Sequence, residues 1–136
     1  MSGRTEGPQS TGRCGLLDVA IVELGDGLLG EYGVMDLLRT PDIAACVGAV
    51  VLAASDPVAA WGGARILEGL GLPLVAVTGP ATDNLAGSEK IAAMLGIAAV
   101  NACRHPGALA EIVLSALRSG TASKRANKPS YLEACA

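Results

Sequence analysis

Residues 18–34, DVAIVELGDGLLGEYGV, decide how the rest of the chain is read. Asp18–Leu24 is a short run rich in branched apolar residues, the pattern of a strand buried on both faces. Glu23 stands near its end. The turn that follows, Gly25-Asp26-Gly27-Leu28-Leu29-Gly30, has glycines where a backbone bends sharply or must approach something closely. A buried strand, an acid and a glycine turn in that order is how an open α/β sheet presents a ligand-bearing loop.

Working outward, the same grammar recurs. Thr40-Pro41-Asp42 opens a short helix, with Thr as cap, Pro at the first helical position and Asp in the first turn. Gly48 closes it, and Ala49–Ala54 (AVVLAA) reads as a second strand. Ser55-Asp56-Pro57 starts a helix that runs to about residue 70 and is closed by Gly71. Leu72–Gly79 (LPLVAVTG) is a third strand, followed by the loop PATDN and a helix that ends before Gly96. Ile97–Val100 is a short fourth strand. His105-Pro106 opens a last helix whose apolar Leu109, Ile112, Val113 and Leu117 share a face.

Four strands alternating with helices predict right-handed crossovers and an α/β fold: three layers, a mainly parallel sheet of four strands or slightly more, and helices on both faces. Composition agrees. The 136 residues suit one domain, and 51% hydrophobic content with only 2% aromatics and no Phe demands a core of Val, Ile, Leu and Ala. Residues 16–118 are expected to form that domain. Residues 1–15 and 119–136 read as flexible tails, the second basic through Lys124, Arg125 and Lys128.

Charged residues are only 17% of the chain, which favours a homo-oligomer or a partner subunit to cover apolar surface. A net charge of −3 argues against a general nucleic-acid binder. No apolar run reaches the roughly 18 residues of a membrane span. The start of the chain lacks an apolar signal core, and Cys14, Cys46, Cys103 and Cys135 include no C-x-x-C pair, so a cytoplasmic location with reduced thiols is expected.

Sites in such sheets form beyond the carboxyl ends of the strands. That rule selects Glu23, Gly25, Asp26 and Gly27 after the first strand, Ser55 and Asp56 after the second, Thr78, Gly79, Asp83 and Asn84 after the third, and the loop Asn101–His105 after the fourth. Ser55-Asp56 also explains itself as a helix cap. Thr78, Thr82 and Ser88 fit either an anion at a helix N-terminus or ordinary turn chemistry. Gly25-Gly27-Gly30 matches the spacing of a dinucleotide-binding Rossmann turn, yet Glu23, Asp26 and Glu31 would crowd carboxylates around a diphosphate, and the next strand-end acid comes some ten residues late. An acid ending a buried strand can instead hold Mg²⁺ through its water shell or orient a water.

The segments IVELGDGLL, TPDIAACVGAVVLAAS and LEGLGLPLVAVTGPATDN resemble the C-terminal half of P-loop proteins of the dethiobiotin synthetase and cobyrinic acid diamide synthase type. The resemblance implies a P-loop-like topology, Glu23 as the acid that organises Mg²⁺ and substrate, and Asn84, with Asp83 beside it, near an ATP base. One departure is decisive for chemistry. The phosphate loop G-x-x-x-x-G-K-[ST] is nowhere in the sequence, and Gly87–Lys90 lacks its glycine spacing. The chain is therefore expected not to be a self-sufficient ATPase, and to bind nucleotide with Mg²⁺, or a small anionic substrate, beside a partner that brings the phosphate loop. The alternative is a non-catalytic assembly module on the same scaffold. Cys103-Arg104-His105 reads as packing and helix capping rather than a nucleophile and base, and Trp61 beside Gly62-Gly63 as core or interface.

Overall fold

The computed structural model describes residues 18–125, with side chains to residue 120. Two short helices, α1 (Val34–Arg39) and α2 (Pro41–Cys46), lead into β1 (Val50–Ala53). Then follow α3 (Pro57–Gly69), β2 (Leu74–Thr78), a 3-10 turn at Pro80–Thr82, α4 (Leu85–Leu95), β3 (Ala98–Ala99) and α5 (Pro106–Arg125). The three strands form one parallel sheet in the order β1-β2-β3. Alternating strand and helix thus give the expected α/β character.

Local chemistry sets the boundaries. Asp56 accepts the Ala59 amide at 2.9 Å and caps α3, whose first residue is Pro57. Asn84 accepts the Gly87 amide at 2.8 Å and caps α4. Each side chain satisfies one of the amides that a helix start leaves without an intrahelical partner. Thr40 precedes Pro41 as expected but makes no cap bond, and its hydroxyl donates instead to the Asp36 carbonyl at 2.9 Å.

Two apolar clusters hold the sheet and helices together. Ala54, Ala60, Val77, Ala81 and Ile91 form one, joining the carboxyl ends of β1 and β2 to α3 and α4. Val34, Leu38, Leu67 and Leu72 form the other, where α1 meets the end of α3 and the approach to β2. α5 packs on β2. None of the described helices is long and apolar enough to cross a membrane.

The sheet departs from the sequence reading at one place. Asp18–Leu24 forms no ladder, so the sheet has three strands rather than four, and Ile21 is 96% exposed. Apolar, β-branched composition makes a strand only where a neighbouring edge supplies backbone partners, and within the described residues none pairs with this run. At the other end, α5 continues to Arg125, beyond the expected domain limit at 118. Cys14, Cys135 and Lys128 lie outside the described residues.

Candidate functional site

The loops that leave the carboxyl ends of β1, β2 and β3 are bound to one another. β1 and β2 are stapled first: the Ala54 amide donates to Thr78 O at 2.9 Å, and the Ala81 amide donates back to Ala54 O at 3.0 Å. Gly79 makes the reversal possible. It has φ +89°, and a Cβ there would lie 2.8 Å from the Ala54 carbonyl oxygen. The Thr82 hydroxyl then closes the turn on Gly79 O at 2.7 Å.

Asn101, directly after β3, ties this turn to the next. It is 8% exposed, one of two buried polar residues among those described, with Thr82 the other. Its amide nitrogen donates to Asp83 Oδ1 at 2.9 Å and to Thr82 O at 3.4 Å. Its oxygen accepts the amides of Cys103 at 3.1 Å and Arg104 at 3.0 Å. One buried side chain therefore sets two loops whose residues are 18 or more apart in sequence, as burial of an amide in a fully bonded state requires. The Thr78 hydroxyl accepts the Ala102 amide at 3.0 Å, and the Arg104 guanidinium donates to the Asp83 carbonyl.

Between the two loops lies a cleft of about 390 Å³, lined by Thr82, Asp83, Asn84, Asn101, Arg104 and His105 among others. Its volume falls within the roughly 300–1,000 Å³ of small-molecule sites. Of the five donors on a guanidinium, the bond to Asp83 O uses one, and no described carboxylate forms an ion pair with Arg104. The Arg104 guanidinium and the His105 imidazole suit an anionic group, beside an Asp83 carboxylate that Asn101 already engages and apolar walls from Leu85, Ala99, Val100 and Ala108.

At the end of β1, the Ser55 hydroxyl donates to Asp56 Oδ2 at 3.2 Å. The Ala59 amide, as the main cause, and Ser55 hold the Asp56 carboxyl below its ordinary pKa against an opposing desolvation. This is a cap fully explained by its helix.

The structure thus gathers Thr78, Gly79, Asp83 and Asn84 at one rim, with Ser55 and Asp56 at the end of the neighbouring strand. It does not join Glu23, Gly25, Asp26 or Gly27 to them. The glycine turn is bonded within itself: Asp26 Oδ2 accepts the Tyr32 amide at 3.0 Å, and the Gly30 amide reaches Gly27 O at 3.4 Å. Leu28 anchors it to the Val34–Leu72 cluster, beside the start of β2. No ladder strand precedes this turn and α1 begins only at Val34, so the strand–turn–helix context of a dinucleotide site is not formed by the described residues. Glu23 is exposed, and no three described His, Cys, Asp or Glu side chains gather in a group able to hold a metal ion.

Sequence reasoning placed the Asn101–His105 loop at the carboxyl rim of the sheet but singled out neither Asn101 nor Arg104. The signal was faint: an Asn at the very end of an apolar run, where a polar side chain closes a strand. Cys103 and His105, which drew attention, are both exposed, and His105 serves the start of α5 through its carbonyl, which accepts the Leu109 amide. Cys46 and Cys103 are free thiols. Trp61 is 50% exposed on α3 with the Arg65 guanidinium 5.9 Å over its ring, so it lies at the surface and not in the core. Comparison with protein-family models, with curated proteins and with solved structures finds no match for this chain.

Proposed function

We propose that this chain is a nucleotide-associated α/β domain that binds a nucleotide or another small anionic molecule in the cleft between Thr82–Asn84 and Asn101–His105. It acts beside a partner that supplies the phosphate loop its own sequence lacks. The observation that carries this reading is the buried Asn101 amide, which fixes the Asp83 and Arg104 loops around a cleft at the carboxyl ends of β2 and β3. The resemblance of VAVTGPATDN to the late loop of dethiobiotin synthetase-type proteins supports the same place for the base. Helices on both faces of the parallel sheet, and a cytoplasmic location, go with this reading.

Arg104 holds the anionic part of the ligand, Asp83 and Asn101 position the loops, and Asn84 keeps α4 in register. Among the described residues no three His, Cys, Asp or Glu side chains gather to hold a metal ion, so Mg²⁺ would enter with a phosphate ligand. Calorimetry with ATP, with and without Mg²⁺, tests the cleft. Saturable binding is expected, and Arg104→Ala should weaken it about tenfold or more, the loss of one charge-assisted hydrogen bond. ATP and inorganic phosphate both failing to bind, or binding indifferent to Arg104→Ala, overturns the cleft assignment. ATP turnover by the purified chain overturns the need for a partner. A second reading, a non-catalytic assembly module, is favoured by one observation: the exposed apolar run Val19–Val22.

A further inference from the structure

We propose that the cleft between Thr82–Asn84 and Asn101–His105 takes a small zwitterion, an α-amino acid with an apolar side chain. The proposal rests on that cleft being the ligand site and follows the small-molecule branch of the reading above.

Charge carries it. Arg104 is the only Lys or Arg among the residues lining the cleft, and Asp83 is the only Asp or Glu. The two residues touch, yet their charges do not pair. The guanidinium donates to the backbone carbonyl of Asp83, while the Asp83 carboxylate is turned to Asn101, whose Nδ2 donates to Oδ1 at 2.9 Å. Oδ2 accepts no hydrogen bond from any described residue. A positive and a negative group thus border one cleft without neutralising each other, and both keep capacity for charge-assisted bonds. One molecule bearing a carboxylate and an ammonium uses both. A triphosphate or a dicarboxylate would set surplus negative charge against Asp83 with a single guanidinium to balance it.

Geometry narrows the ligand further. The guanidinium rests on the carbonyl of the same residue that supplies the carboxylate. The two charges of the ligand must therefore stand close together, as they do across one α-carbon and not at the ends of a peptide. The first turns of α4 and α5, through Leu85 and Ala108, both border the cleft, and their dipoles favour the carboxylate. Leu85, Ala99, Val100 and Ala108 give the side chain apolar walls, and Leu85 is 73% exposed, so covering it removes apolar surface from water. The volume of about 390 Å³ has room for such a side chain.

Titration of the isotope-labelled full chain with L-leucine, followed by NMR, tests the proposal. Saturable shifts are expected at the amides of Leu85, Arg104 and Ala108. Arg104→Ala and Asp83→Asn should each weaken L-leucine about tenfold, the loss of one charge-assisted contact. Asp83→Asn retains an oxygen for Asn101, so its urea midpoint should stay near that of the unaltered chain. Isocaproate, which is leucine without its amine, should bind the unaltered chain about tenfold more weakly than L-leucine, and Asp83→Asn should weaken it no further. That comparison of two compounds needs no variant. Absence of L-leucine binding, isocaproate binding as tightly as L-leucine, or L-leucine binding indifferent to Asp83→Asn overturns the proposal. Failure of L-leucine where ATP or phosphate binds through Arg104 removes the zwitterion alone, whereas failure of all three removes the cleft as well.

Discussion

At Asn101 a single amide does work that would otherwise fall to several ordered waters. It bonds Asp83 and Thr82 on one side and two backbone amides on the other. Asn101→Ala strands these partners in a nearly buried position. It should cost about 1–3 kcal/mol, read as a lower urea midpoint at constant slope. Arg104→Ala, at an exposed residue, should leave that midpoint within about 0.5 kcal/mol while weakening the cleft for anions. Asp56 gives a pH signature. Its carboxyl is held below the ordinary value in the folded chain, so the unfolded chain binds the extra proton first as pH falls. The stabilisation is complete above the ordinary carboxylate pKa and is lost as pH falls through the folded value. Asp56→Asn keeps a capping side chain but should remove this part of the acid limb in a plot of thermal midpoint against pH.

Among the elements, α4 and the turn before it are tuned by two residues of opposite kind. Asn84→Ala removes the cap on Gly87 and should cost about 1 kcal/mol by chemical denaturation. Gly79→Ala should cost more, about 1–3 kcal/mol, because its backbone lies in a region that only glycine adopts freely and a methyl group meets the Ala54 carbonyl. The starts of α2, α3 and α4 were legible because Pro41, Asp56-Pro57 and Asn84 act within four residues of themselves, a range that sequence displays. β1 and β2 were legible for a related reason: buried parallel strands are runs of Val, Leu and Ala whatever they pair with. Asp18–Leu24 has the same composition and forms no strand, because pairing depends on an edge that local composition does not reveal. The cleft was half legible. The carboxyl-end rule pointed to Asp83, Asn84 and the loop Asn101–His105, but that Asn101 turns inward and binds a loop 18 residues earlier is a tertiary fact.

For the whole molecule, three strands, two joined clusters and a short β3 make a small core that leaves apolar surface along Asp18–Leu24 and at Val58 and Leu85. α5, 20 residues long, runs past the sheet to Arg125, so the basic segment begins on a helix rather than in a free tail. The reciprocal bonds between Ala54, Thr78 and Ala81 have a further consequence for motion. They lock the ends of β1 and β2 as one rigid corner, whereas Arg104 and the start of α5 hang on β3, a strand of two residues. Breathing of the cleft must therefore come from the β3 side. In amide hydrogen–deuterium exchange, Ala54 and Ala81 should rank among the slowest sites, and Cys103 and Arg104 should exchange well before them.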